Sequence, residues 1–303
     1  MTRLETFQIQ RNHLIGIAYR MLGEMSAAED IAQEAWLRWA NAECEDIRDP
    51  RAWLSAVTVR LALDALRKAR ARRETYVGPW LPEPLLPDDT RALAADAPAA
   101  RAELASDLSL AMLIVLERLS PEERAALILH DAFDCDYATI AQTLEKSETA
   151  CRKLVSRARE RVKAERPRHT VATERHRQLV ATFLSASASS DLEKLAGLLR
   201  HEVVLYSDGG GKAAAALNPI HGADRVTRFT LGVLRKFGPP EGLRAEATEI
   251  NGAPGYLLHA AGALYAALTM EFDGDWISAI YVVRNPDKLR RISRSLPGSS
   301  PSA

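Results

Sequence analysis

The stretch DYATIAQTLEKSETACRKLVSRARERVK, residues 136–163, spells two helices separated by a tight break. In the first half Tyr137, Ile140, Ala141 and Leu144 recur at helical spacing, which buries one stripe. Glu145 and Lys146 interrupt the pattern, and Ser147 is a good N-cap for a second helix. In the second half Cys151, Leu154, Val155, Ala158 and Val162 form the apolar stripe. That leaves Thr149, Arg152, Lys153, Ser156, Arg157 and Arg159 facing outward. Two helices joined by a short turn, the second offering cations and hydroxyls, fit the major groove of DNA. Arginine there can reach guanine edges bidentately, while lysine and serine can hold phosphates.

The rest of the chain supplies the context. With 40 basic and 40 acidic residues the formal net charge is zero, so no global field draws this protein onto nucleic acid. The charge is segregated instead. Arg60, Arg67, Lys68, Arg70, Arg72 and Arg73 form one basic run and Arg152 to Arg168 another, while Asp88, Asp89, Asp96, Glu103 and Asp107 make an acidic stretch between them. Local basic patches on a neutral protein suit a DNA contact that is placed with help from a further partner. Cys44, Cys135 and Cys151 are scattered and do not have the spacing of a zinc site, so reduced thiols and no metal are expected. Met1 to Gln10 mixes charged and apolar residues, unlike a signal peptide. No apolar stretch approaches the roughly 20 residues of a membrane span. A soluble, cytoplasmic protein with no membrane contact is the expectation.

Residues 5–75 read as helices. Ser26-Ala27-Ala28-Glu29 has the form of a capping box. The helix it opens buries Ala28, Ile31, Ala32, Ala35 and Trp39 and turns Asp30, Gln33, Glu34 and Leu37 outward. Asp49-Pro50 starts another, with Trp53, Leu54, Val57 and Leu61 inward and Arg60, Asp64 and Arg67 outward. Prolines at 79, 82, 84, 87 and 98 cannot sustain a long helix or strand, so 76–105 reads as a linker, semi-extended at its start. Helices resume near Ser106, and Ser120-Pro121-Glu122-Glu123 is a second capping box with proline at the first helical position. Beyond Pro167 come two helices, roughly 171–188 and 191–200, the second opened by Ser190. A strand over 202–206 then runs into Asp208-Gly209-Gly210-Gly211-Lys212. A helix around 222–236 precedes strand-like runs near 243–250, 255–272 and 276–284, with Asp273-Gly274 as a turn. Helices followed by a meandering antiparallel sheet define an α+β domain. The expected organisation is multidomain: all-α over 1–75, a linker over 76–105, an all-α helix–turn–helix domain over 106–166, and an α+β domain over 167–303 with a disordered tail after 290.

Over residues 1–165 these features together resemble an extracytoplasmic-function sigma factor, the small bacterial subunit of transcription initiation. Ala28 to Leu37 looks like sigma region 2.2, which binds the clamp helices of the RNA polymerase β′ subunit. The resemblance makes Asp30, Gln33, Glu34 and Leu37 the core-binding candidates. An outward acidic face carrying one apolar residue suits a basic, partly apolar partner. Asp49-Pro50-Arg51-Ala52-Trp53-Leu54, continuing through Asp64 to Arg67, looks like regions 2.3 and 2.4, which open and read the −10 element. Strand opening needs cations along the backbone, and Arg60, Arg67, Lys68 and Arg70 supply them. Arg60 stands where many members carry asparagine, so the family's base-capture role does not carry over to it. Residues 120–163 look like region 4, which reads the −35 element through Thr149, Arg152, Lys153, Ser156 and Arg157. The partners implied are core RNA polymerase, at its β′ clamp and β flap, and promoter DNA.

Two further motifs, Trp80-Leu81-Pro82-Glu83-Pro84 and Asp208-Gly209-Gly210-Gly211-Lys212, resemble those of the subgroup with a fused SnoaL-like extension. Asn285-Pro286-Asp287-Lys288-Leu289 looks like its third signature. That implies a C-terminal NTF2-like cone that modulates the sigma factor in cis and could take a small ligand in a pocket. The glycine run lacks the spacing of a phosphate loop, so no nucleotide and no other cofactor is expected. The glycine turn is expected to dock on the Trp80–Pro84 segment, with buried Trp80 as the main anchor and Glu83 paired to Lys212. Two other readings compete: a ligand-sensing DNA-binding regulator acting without core polymerase, and a SnoaL-like pocket enzyme with an accessory DNA-binding segment. His201, Asp208, His221, His259 and Asp275 make no recognised catalytic constellation, so no enzymatic activity is expected.

Overall fold

The computed structural model describes residues 2–42, 47, 49–73, 75–94, 108–165, 173–237 and 240–295. Cys44, Asp96, Glu103, Asp107, Arg166 and Arg168 lie outside these, as does the side chain of Arg70. The chain forms two compact units, Met1–Thr75 with Asp88–Arg166, and Tyr76–Pro87 with Pro167–Ala303.

The first unit is helical. α1 (Arg3–Leu22), α2 (Met25–Asn41) and α3 (Pro50–Arg73) pack together around Leu14, Ile17, Met21, Ala28, Ala35 and Leu54. Asp49 caps α3, accepting from the Ala52 N–H at 3.1 Å, as expected. Ser26 does not cap α2. Left-handed Gly23 ends α1 and puts Glu24 at the cap position, so Ser26 already lies inside the first turn. α4 (Pro87–Ala94) comes next, then α5 (Leu110–Glu117) and α6 (Pro121–Leu127), which opens on the expected Ser120–Glu123 capping box. A π-helical turn, Ile128–Ala132, extends α6. α7 (Tyr137–Leu144) and α8 (Glu148–Glu165) are the two helices of residues 136–163. Glu145 takes the left-handed conformation between them, and Ser147 Oγ accepts from the Ala150 N–H at 3.2 Å. Cys151, Val155, Ala158 and Val162 are buried, in line with their spacing.

His13 lies deep in this unit. Arg51 donates to its Nδ1 (3.2 Å), so Nε2 carries the proton and donates to Ser55 Oγ (2.9 Å), which donates on to the Arg51 carbonyl (2.8 Å). Burial first, then the Arg51 and Arg20 charges, push its pKa from 6.5 down to about 3. Folding therefore favours neutral His13, and its contribution is complete above pH 6.5 and lost as pH falls toward 3. The urea midpoint of the first unit's transition should drop between pH 7 and pH 5.5, and His13→Gln should flatten that drop.

The second unit is α+β. α9 (Thr173–Ala188), α10 (Leu192–Leu198) and α11 (Ala223–Phe237) lie against a six-stranded sheet of order β2-β1-β6-β5-β4-β3. Its strands are β1 (Leu199–Asp208), β2 (Ile220–His221), β3 (Arg244–Ile250), β4 (Ala253–Ala260), β5 (Ala263–Asp273) and β6 (Trp276–Val283). Leu179, Phe183, Val203, Val226, Met270 and Ile280 belong to the cluster that fills the space between helices and sheet. This is the expected α+β architecture, with differences in detail. The sheet is mixed, because β1 pairs parallel to β6 while the other neighbours are antiparallel. The run 255–272 is two strands, broken where Ala261 and Gly262 both adopt positive φ. Asp191, not Ser190, caps α10: Ser190 is left-handed, and the Asp191 carboxylate accepts from the Lys194 N–H at 3.0 Å. The chain does not lose order at 290, since α12 (Pro286–Ser295) buries Leu289 and Ile292. Among the described residues no helix is long and apolar enough to cross a membrane.

Candidate functional site

On α2 the faces separate as the spacing requires. Asp30 and Gln33 are exposed, Leu37 is 48% exposed, and Glu34 is half-exposed and paired along the helix to Arg38 at 3.0 Å. The expected core-binding residues thus form one outward patch.

The basic face of α3 is not free. Arg60 donates from Nε to the Thr143 carbonyl (3.1 Å) and from Nη2 to the Gln142 carbonyl (2.9 Å). These are two of the carbonyls a helix leaves unpaired at its C-terminus, here that of α7, where the helix dipole also favours a cation. Arg67 bridges Asp64 on its own helix and Glu122 of α6, the latter at 2.9 Å. Burial alone would raise the Glu122 carboxyl, but the hydrogen bond from Arg67, a backbone hydrogen bond and the Arg67 and Lys146 charges together hold it below its usual range. Lys68 is exposed. Deeper in the same contact, fully buried Arg124 donates to the Arg20 carbonyl (2.8 Å) and pairs with Glu117, and Phe133 meets the His13 ring edge-on at 4.7 Å. Two of the residues expected to read the −10 element therefore hold the helix–turn–helix half of the unit.

On α8, Thr149, Arg152, Lys153, Ser156 and Arg157 are all exposed, as expected. Arg159 is exposed as well, but it is engaged. It pairs with buried Asp131 (3.0 Å), and Arg161 with Glu123 (2.9 Å), so these two arginines tie α8 to α6 and the turn that extends it.

The three signature motifs meet inside the second unit, at Asp208. Its carboxylate is fully buried and accepts from the Tyr76 hydroxyl (2.6 Å), the Leu81 N–H (2.9 Å) and Lys288 Nζ (2.6 Å). Lys288 also donates to the Leu81 carbonyl and sits 4.3 Å from the Trp80 ring centroid. Asn285 caps α12 through the Asp287 N–H (3.0 Å), Pro286 takes the first helical position, and Asn285 Nδ2 donates to the Tyr76 hydroxyl (2.8 Å). Gly210 (φ 58°) has no room for a side chain, because a Cβ would meet Asn285 and lie 2.9 Å from the Tyr76 hydroxyl.

From this anchor the segment 76–87 runs as a strap whose Leu81 to Leu85 are all buried. Its far end is fixed by a reciprocal pair: the Leu85 N–H donates to Asn251 Oδ1 and the Asn251 N–H to the Leu85 carbonyl, both 2.9 Å. Pro82 and Pro84 carry no N–H, which removes two donors from a buried segment that forms no ladder. The chemistry that joins the glycine turn to the Trp80–Pro84 segment differs from the expectation. Lys212 pairs with Asp287 rather than Glu83. Trp80 is only half-buried, and Leu81 and Leu85, both fully buried, are the apolar anchors. Tyr76, Asn251, Asn285 and Lys288 carry no assigned role in the sequence reading. The third signature, Asn285 to Leu289, is the signal for two of them.

Comparison with known proteins identifies the two helical parts of the first unit. Residues 7–72 match Sigma-70 region 2 and residues 110–162 match Sigma-70, region 4. The ECF RNA polymerase sigma factor SigJ of Mycobacterium tuberculosis is 40% identical over 301 residues, which cover 93% of this chain and 91% of that one. The probable ECF RNA polymerase sigma factor SigI of the same species is 32% identical and covers 96% of both chains. The crystal structure of the M. tuberculosis extracytoplasmic function sigma factor SigJ superposes with a TM-score of 0.73 at 35% identity, over 95% of this chain and 98% of that one. The chain belongs to the extracytoplasmic-function sigma factors: it binds core RNA polymerase and directs it to specific promoters.

Proposed function

We propose that the outward patch of α2 docks on the β′ clamp, that α8 reads the −35 element beside the β flap, and that α3 engages the −10 element through Arg60, Arg67, Lys68 and Arg70. The SnoaL-like unit regulates this assembly in cis. One observation carries the regulatory reading: residues 76–87, the first part of the chain between the two DNA-binding modules, are built into the SnoaL-like fold through Asp208, Lys288 and Asn251. Whatever loosens that strap changes how the two modules are tethered.

Glu34→Lys tests the polymerase surface. The Glu34–Arg38 pair is exposed, and such pairs stabilise a helix by only about 0.3–0.5 kcal/mol, so the fold should survive the reversal. Co-purification with core polymerase should fall at least tenfold while the melting temperature stays within about 2 °C. Full co-purification would move the interface off α2.

A small polar ligand in the second unit is the second reading. His176 Nε2 and Thr227 Oγ1 are buried with no partner among the described residues. Burial lowers His176 to a pKa of about 4, so it would meet such a ligand as a neutral imidazole.

A further inference from the structure

Among the outward cations of α8, Arg152 differs from Lys153 and Arg157. Its guanidinium carbon lies 4.4 Å from the centroid of the Tyr137 ring, and its Nη2 donates to Glu148 Oε2 at 2.9 Å. The His130 ring lies 4.7 Å from that of Tyr137, centroid to centroid, tilted at 40°. His130 is held in turn: its Nδ1 is 2.8 Å from Asp131 Oδ1 and 3.0 Å from Arg159 Nη2. The π-helical turn sets His130 and Asp131 side by side, a local widening of the helix that often marks functional positions. An exposed arginine on the reading face is thereby tied, through two rings and an ion pair, to the body of the helix–turn–helix.

We propose that Tyr137 is a positioning residue for promoter recognition, fixing Arg152 as the base-reading arginine of α8 while Lys153 and Arg157 serve mainly phosphate. This rests on the reading of α8 as the −35 helix. With its carbon held over the Tyr137 ring, the guanidinium keeps N–H groups for a guanine, the bidentate contact that discriminates bases. An arginine already ordered loses less rotamer entropy on binding, so more of its contact energy appears as discrimination. Glu148 occupies one donor and, lying in the first turn of α8, is favoured there by the helix dipole.

The test uses the full-length chain with core polymerase, run-off transcription and a promoter set carrying each single-base change across the −35 element. Arg152→Ala should erase preference at one position. Tyr137→Leu should weaken preference at that same position three- to tenfold, with the salt dependence of promoter binding unchanged, and Tyr137→Phe should restore it. The double variant of Arg152→Ala with Tyr137→Leu should be no worse than Arg152→Ala alone. If Arg152→Ala has no positional effect, the −35 reading of Arg152 fails and the proposal with it. If that effect stands but Tyr137→Leu lowers output equally on every promoter, or the two substitutions simply add, Tyr137 does not act through Arg152 and the proposal alone is overturned.

Discussion

Lys288→Met should release the strap. Asp208 would keep the Tyr76 and Leu81 donors but lose the ammonium that balances its charge, while remaining fully buried. Removing one member of a buried ion pair typically destabilises by about 3–5 kcal/mol, because the remaining charge stays desolvated. Taking both charges away is far milder, so adding Asp208→Asn to Lys288→Met should recover most of the loss. Hydrogen exchange at the Leu81 and Leu85 amides is the direct measure. Both amides are bonded within the strap's own contacts, to Asp208 and to Asn251. Exchange should accelerate by about two to three orders of magnitude in the single variant, at roughly 1.4 kcal/mol per decade, and return toward wild type in the double. Promoter output should track the exchange rates across the series. Unchanged exchange with Lys288→Met, or strictly additive effects, would show that the ion pair does not hold the strap.

How far this was legible in the sequence depends on the range of each interaction. Stripes at helical spacing are local, so Cys151, Val155, Ala158 and Val162 could be read, and they are buried. Caps are less local than they look. Ser190 has the right side chain, but its backbone is left-handed, and the cap passes to Asp191. The clasp at Asp208 joins residues 132 and 80 positions apart, Tyr76 and Lys288, and pairing at that distance leaves no periodic trace. The same holds for the parallel pairing of β1 with β6, since β2 to β5 intervene in the chain. The roles expected of Arg60 and Arg67 show the opposite limit. Their exposure was legible, but nothing in the α3 sequence says that two carbonyls of α7 and a carboxylate of α6 lie within their reach.

Locking those two halves of the first unit together should abolish transcription. The −10 and −35 elements are named for positions about 25 base pairs apart, which at roughly 3.4 Å per pair is on the order of 80 Å. A compact unit of about 150 residues spans only about 40 Å. With α3 and α8 in their proposed roles, the arrangement in which Arg60 and Arg67 grip α6 and α7 cannot serve both elements at once, and promoter engagement should require it to open. Asp64 and Glu122 both pair with the Arg67 guanidinium, at 3.4 and 2.9 Å, so cysteines at these two positions face the same contact and can be joined by a bis-thiosulfonate bridge of matched length. Both native arginines stay in place. Cys135 is pushed up to about 11 by burial and by the neighbouring Asp136 charge, and burial also raises buried Cys151, so these thiols should react slowly at neutral pH. Cys44 would be replaced by serine. Bridged protein should give run-off transcript at least tenfold below the unbridged control, and dithiothreitol should restore it within the same reaction. Binding to core through α2 should persist in both states, because that patch is not part of the locked contact. A bridged protein that transcribes normally would mean that the two modules read their elements without separating.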